Sequence, residues 1–203
     1  GAARYRLTAR HSDKCMTVPS GGAGVSVQQA ACPGGDGALW KILPYPHSDK
    51  GYRIFSRQSG KALDVEGKSK EDGANIQIFH ATGGPNQLWT LFPDGESEGR
   101  PVYSIISHHS GSAVDVHAAD TGDGANVQQH AYNGGDNQRW RLVPAAGDGY
   151  SIISINSGMC LDVKGEETAD GTNVQQARCN GGDNQIWRLS PESIVPGPAG
   201  PPR

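Results

Sequence analysis

At 203 residues the chain can bury a core as one large domain or two small ones, and 29 Gly with modest apolar content suit short strands and tight turns rather than long helices. A net charge of −3 and scattered Lys and Arg exclude the basic surface that a nucleic-acid backbone needs as partner. No apolar stretch approaches the roughly 18–20 residues of a membrane-inserted helix, and with no recognisable signal peptide the chain reads as a mature form or an excised piece.

The predicted elements recur in four units, 5–44, 52–93, 103–144 and 150–190. Each opens on a Tyr (Tyr5, Tyr52, Tyr103, Tyr150) and closes near a Trp (Trp40, Trp89, Trp140, Trp187), which accounts for every Trp in the protein. The Tyr-to-Trp spacing is constant in the last three units and two residues shorter in the first. Within a unit, Tyr-x-(Ile/Leu) begins a strand. A turn leads to a second strand ending in Asp-Val: ALDV (62–65), AVDV (113–116) and CLDV (160–163). A polar loop then closes on DGAN (72–75), DGAN (123–126) and DGTN (170–173), where Asp-Gly supplies the positive φ of a tight turn. A third strand follows as NIQIFH (75–80), NVQQHA (126–131) and NVQQAR (173–178). A Gly-Gly turn delivers the last strand at NQLW (86–89), NQRW (137–140) and NQIW (184–187).

Period-two alternation makes this an all-β chain. Tyr52 shares a face with Ile54, Tyr103 with Ile105 and Tyr150 with Ile152; each Trp shares one with Ile42, Leu91, Leu142 or Leu189. One lobe cannot bury its apolar face alone, so the lobes pack on one another with the Trp side chains as core. Residues 1–190 are expected to form a single unit of four repeats, followed by a Pro/Gly-rich tail or linker over 191–203. The four Cys permit three pairings, among which sequence alone does not choose.

The Asp-Val strand, the Val-Gln strand and the Gln-x-Trp ending, spaced in this way over residues 5–190, resemble the repeats of ricin B-type lectins, also called family 13 carbohydrate-binding modules. The resemblance implies a β-trefoil, three lobes closed around a pseudo-threefold axis. This sequence departs from it in carrying four. Either three close and one is spare, or all four close into a wider ring; packing residues kept in every copy tilt the expectation slightly to the four-lobed ring. Cys15 and Cys32 match the places of Cys160 and Cys179 in their units, so pairing within units is expected. Disulfides imply an oxidising, secreted setting.

A sugar presents vicinal hydroxyls and a face of C–H bonds. Its site needs a carboxylate to accept two hydroxyl protons, an amide to donate and accept, and a ring to carry the C–H face. By resemblance the second unit supplies these as Asp64, Gln77, Phe79, Asn86 and Gln87, and the third as Asp115, Gln128, His130, Asn137 and Gln138. The fourth keeps Asp162, Gln175, Asn184 and Gln185 but has Ala177 at the platform position, so weak or no binding is expected there. The first has Thr17, Ala30 and Gly37-Ala38 at the matching positions and is expected to be structural. The Gln before each Trp shares the face of that Trp, which suits orienting or sealing; the DGxN residues suit turn formation.

The leading expectation is multivalent, non-catalytic glycan binding, of galactose-type or xylan-type sugars by resemblance. The alternatives are a protein-interaction or toxin-targeting scaffold that has lost sugar binding, and the binding appendage of a larger glycoside hydrolase with a catalytic domain beyond the tail. Catalysis is not expected, because glycoside hydrolysis needs two carboxylates at one bond and each lobe offers one. No cofactor or metal is expected: His108 and His109 are adjacent on a strand and point to opposite faces.

Overall fold

The computed structural model describes residues 4–9, 12–17, 27–32, 38–41 and 50–193. Gly37, Ile42 and the tail beyond Ser193 lie outside the described residues, as do the side chains of Tyr5 and Trp40. The chain divides into two compact units, Gly1–His47 and Ser48–Arg203.

The first unit contains β1 (Arg4–Arg6), β2 (Cys15–Thr17), β3 (Gln28–Ala30) and β4 (Leu39–Lys41). β1 pairs antiparallel with β4, placing Tyr5 opposite Trp40, and β2 pairs with β3, placing Cys15 opposite Ala30. The Cys15–Cys32 disulfide is formed.

The second unit repeats that lobe three times in the same registers. Its second lobe holds β5 (Lys50–Ser56), β6 (Ala62–Val65), β7 (Ile76–Phe79) and β8 (Trp89–Ser97). The third holds β9 (Arg100–Ser107), β10 (Ala113–Val116), β11 (Val127–His130) and β12 (Trp140–Ala145), and the fourth β13 (Gly149–Ser154), β14 (Cys160–Val163), β15 (Thr172–Ala177) and β16 (Ile186–Ser193). In every lobe the opening Tyr faces the closing Trp across a strand pair: Tyr52 with Trp89, Tyr103 with Trp140, Tyr150 with Trp187. The Cys160–Cys179 disulfide ties β14 to the segment after β15.

Closure follows from the long pairings. β5 pairs with β8, β8 with β9, β9 with β12, β12 with β13, β13 with β16, and β16 returns to β5 from Trp187–Ser56 through Ser193–Lys50. A barrel closed in this way has no free edge. The preference for a four-lobed ring is therefore corrected: lobes two to four complete a barrel among themselves, because the fourth lobe's last strand hydrogen-bonds directly to the second lobe's first. Within this barrel Trp89, Trp140 and Trp187 are fully buried, and their indole N–H groups donate to the carbonyls of Leu63, Val114 and Leu161. Ile54, Ile105 and Ile152 are buried with them. Of the partnering Tyr side chains in these lobes, Tyr52 and Tyr103 are half-buried and Tyr150 is 37% exposed.

The β6–β7, β10–β11 and β14–β15 hairpins close the other end as a cap in which each Asp-Gly loop docks on the next lobe. Gly73 N–H donates to the Gln129 carbonyl, Gly124 to Gln176 and Gly171 to Ile78, each at 2.9 Å. The three glycines sit at φ of 84–85°, left-handed geometry in which a side chain would be strained. Gln129 and Gln176 reinforce the docking by donating their side-chain amides to loop carbonyls of the preceding lobe (Ser69 and Glu71; Asp120 and Gly122).

Candidate functional site

The Asp of each Asp-Val strand sits where its β-hairpin meets the short turn before the Trp. Asp64 Oδ1 accepts from Gln77 Nε2 at 3.0 Å, while its Oδ2 accepts from Asn86 Nδ2 at 2.7 Å and Gln87 Nε2 at 2.9 Å. Asp115 receives Gln128, Asn137 and Gln138 at 3.0, 2.7 and 3.0 Å. Asp162 receives Gln175, Asn184 and Gln185 at the same three distances. The sequence brings these residues together through register: Asp64 lies opposite Gln77, Asp115 opposite Gln128 and Asp162 opposite Gln175.

Three charge-assisted bonds fill three of the roughly four lone-pair positions of each carboxylate. The site can therefore take one further proton donor at the Asp, fewer than the two hydroxyls expected. Burial pushes the Asp64 and Asp162 carboxyls above the ordinary value of 3.8, against the opposing pull of the three amides on each. The Gln before each Trp is sealed. Gln87, Gln138 and Gln185 also donate to the carbonyls of His80, Ala131 and Arg178, and accept the N–H groups of Thr82, Asn133 and Asn180. With 0–1% exposure they are buried, and their amides hold the carboxylate in place.

The lobes differ in what surrounds this shared network. In the third, Asp115, Gln128, His130 and Asn137 border one cavity of about 520 Å³. Its walls also include Asp72 and Gly73, from the second lobe's loop, and His117, Ala118, Ala119 and Asn133 from the third. His130 is half-buried, with Nε2 3.9 Å from Asp72 Oδ2. In the second lobe Phe79 is half-buried and its ring centre lies 4.5 Å from that of His80, while Asn86 is buried. In the fourth, Asn184 is buried and the platform position is the half-buried Ala177. In the first unit Thr17 replaces the carboxylate, and its hydroxyl donates to the Gln28 carbonyl.

Among the cavity residues, His117, Ala118, Ala119 and Asn133 are not marked by the repeat, and Asp72 and Gly73 are marked by it only as part of a turn. Asp72 and Gly73 read as turn formers inside their own lobe; only cyclic docking carries them to the next lobe's site. Asp72 and its equivalents also fasten that docking, with Asp72 accepting Ala131 N–H, Asp123 accepting Arg178 N–H and Asp170 accepting His80 N–H. His109 Nε2 lies 2.8 Å from the Lys68 carbonyl, a contact between lobes.

A family model described as ricin-type β-trefoil lectin domain-like matches residues 1–79, 85–177 and 145–195. The chain belongs to this ricin-type lectin family. Comparison with curated proteins finds no match. Among solved structures, the ricin-type chain is similar to ThreeFoil, a designed threefold-symmetric protein, with a TM-score of 0.65 and 48% identity over 68% of this chain and 96% of that one. It is similar to the exo-β-1,3-galactanase 1,3Gal43A from Clostridium thermocellum, with a TM-score of 0.66 and 27% identity, over 90% of this chain but 38% of the enzyme. The Macrolepiota procera ricin B-like lectin, solved in complex with lactose, shares the fold at a TM-score of 0.57 and 24% identity, over 70% of this chain and 95% of that one. Carbohydrate binding is the activity that a ricin-type lectin fold supports.

Proposed function

We propose that the second and third lobes bind glycans without catalysis, with the third lobe as the principal site and the fourth contributing little. The observation that carries this reading is the cavity beside Asp115, where Gln128, His130 and Asn137 converge on space large enough for a sugar ring. Asp115 accepts one ligand hydroxyl, Asn137 Oδ1 is a second acceptor and His130 carries the C–H face. Phe79 serves the second lobe in the same way. Galactosides are the first class to test, because the Macrolepiota lectin was solved with lactose and the Clostridium enzyme is a galactanase; xylan-type oligomers come next. Single shallow sites of this kind bind weakly, and a millimolar Kd is only about −4 kcal/mol. Two sites on one body gain avidity on a polymer or cell surface. Two disulfides support a secreted setting.

The test is a glycan array followed by titration calorimetry on the full chain and on a Phe79→Ala/His130→Ala double variant. Both side chains are only half-buried, so the variant should keep its melting temperature. We expect it to lose glycan binding by about tenfold or more, as two ring platforms vanish. A folded double variant that binds every glycan with wild-type affinity means that the sites lie elsewhere.

A second reading, the binding appendage of a glycoside hydrolase, draws on the galactanase, 38% of which matches 90% of this chain. Sequencing the encoding gene on both sides of this stretch decides it: an open frame into a hydrolase domain supports the reading, and stop codons flanking a lone lectin gene reject it.

A further inference from the structure

The Gly-Gly turn after the third strand is built alike in the three barrel lobes, and in two of them it opens on an asparagine. Thr82, Asn133 and Asn180 each donate their backbone N–H to the Oε1 of the Gln before the Trp, at 2.8 Å. Each then accepts, on its side-chain oxygen, the N–H of the glycine two residues on: Gly84 at 3.2 Å, Gly135 at 2.8 Å and Gly182 at 2.7 Å. The glycine between is left-handed, at φ 74° for Gly83 and 77° for both Gly134 and Gly181. That geometry favours glycine, so the residue after Asn133 or Asn180 carries no side chain to shield its nitrogen.

Asparagine is chemically labile, and a following glycine leaves its side-chain carbonyl open to attack by the next backbone nitrogen. The bond from Gly135 N–H to Asn133 Oδ1 closes Asn133 Cγ and the Gly134 nitrogen into one small ring. The same N–H is placed to steady the negative charge that attack at Cγ puts on Oδ1. Among the described residues, the Gly134 and Gly181 N–H groups and the side-chain amides of Asn133 and Asn180 donate no hydrogen bond, and both Asn-Gly pairs are exposed. Nucleophile and leaving group are therefore unencumbered. No other asparagine precedes a glycine. Asn86, Asn137 and Asn184 also tie their amides to Asp carboxylates, and Asn156 ties its own to the Ala119 carbonyl. In the Asp-Gly docking loops, Gly73, Gly124 and Gly171 commit their N–H groups to the next lobe.

We propose that Asn133 and Asn180 are deamidation sites of the folded protein, the first of which turns a neutral wall of the third lobe's cavity anionic. The Gly134 nitrogen gives its proton to hydroxide and bonds to Asn133 Cγ. The tetrahedral intermediate collapses by expelling Nδ2, which takes a proton from water and leaves as ammonia. Water then adds to either carbonyl carbon of the resulting succinimide and breaks its bond to the ring nitrogen, giving aspartate or isoaspartate. Overall one amide and one water yield one carboxylic acid and one ammonia. Asn133 lines the cavity with Asp72, Asp115 and His130, so the new charge joins two carboxylates there. Isoaspartate also lengthens the backbone by one carbon, directly after the N–H that holds Gln138. The second lobe, with Thr82 at this place, is exempt. Neither step depends on what the cavity binds.

The experiment ages the full chain, disulfides intact, in mildly alkaline buffer at body temperature, beside the same chain reduced and unfolded in urea. Peptide mapping by mass spectrometry, with isoaspartyl methyltransferase labelling, follows every asparagine. We expect Asn133 and Asn180 in the folded chain to convert within about threefold of their unfolded rates, and at least about tenfold faster than any other asparagine. The Asn133→Thr/Asn180→Thr variant copies the second lobe's turn and should start with the wild-type melting temperature. It should then escape the acidic shift in isoelectric focusing and the fall in melting temperature that the wild type acquires with age. Conversion of both asparagines only after unfolding would show that the turn shields them, and overturns the proposal. So does a double variant that drifts in charge and melting temperature as the wild type does.

Discussion

The third and fourth lobes can be compared atom by atom at their Asp residues. Both carboxylates receive a Gln, an Asn and a second Gln at 3.0, 2.7 and 3.0 Å, and both lobes bury a Trp whose indole donates to the strand before the Asp. The exposed residues around that network differ. The third lobe faces solvent with His117, Ala118, Ala119 and His130, the fourth with Lys164, Gly165, Glu166 and Ala177. The residues that repeat hold the scaffold; on the proposed glycan-binding reading, differences between the lobes fall to residues that do not.

The largest effect should be equal in both lobes. Trp140→Ala and Trp187→Ala each empty a fully buried ring position and orphan a carbonyl, so each should cost about 3–5 kcal/mol in denaturant unfolding. If one lobe tolerated the loss and the other unfolded, the lobes would not be equivalent in packing.

Next comes the carboxylate. Asp115→Ala and Asp162→Ala both strip the acceptor from three amides in a region where the Asp itself is only 3% exposed. Each buried donor left unpaired costs about 1–3 kcal/mol, relieved in part because an unpaired charge no longer has to be buried. Both variants should therefore melt earlier by similar amounts, while only Asp115→Ala removes a glycan site measurable by calorimetry. An Asp162→Ala variant as stable as the wild type would show that the network contributes nothing to folding. The platform side chains, being half-buried, separate binding from stability more cleanly than the carboxylates do.

This division explains what could be read from the sequence. Tyr-to-Trp spacing, Asp-Val, Asp-Gly and Gln-x-Trp are features of a lobe folding on itself, and the strands followed from them, while the within-unit disulfides and the Asp–Gln–Asn clusters followed from the family resemblance that those motifs carry. Lobe count at closure was not of that kind. All four units place Tyr opposite Trp in one register, and only the β16–β5 pairing shows which three share a barrel. Asp72 and Gly73 were missed as wall residues for the same reason, since their place depends on the neighbouring lobe. His117 and Ala118 were missed because they fall in a turn whose sequence does not repeat, where Glu, His and Lys alternate at one position.

The smallest expected effect is on acid stability, and it sets the buried carboxylates against one in the docking loop. Asp170, at the fourth lobe's Asp-Gly, lies against Lys61 and His80 of the second lobe, and these hydrogen bonds hold its carboxyl down at about 2. A carboxyl lower in the folded than in the unfolded chain stabilises the fold above the unfolded value of 3.8 and loses that contribution as pH falls through about 2. Asp64 and Asp162 have the opposite sign: their folded values lie above 3.8, so the folded chain takes up the proton first and acidification toward 3.8 favours it. Carboxyl-carbon NMR titration should therefore find Asp170 ionised well below the pH at which Asp64 and Asp162 have protonated. In thermal melts, Asp170→Asn should flatten the decline in melting temperature between about pH 4 and pH 2 and leave the profile above pH 4 parallel to the wild type. A decline unchanged by that substitution would mean that the fourth lobe's loop is held on the second by its backbone bonds alone, as Gly171 N–H to the Ile78 carbonyl already allows.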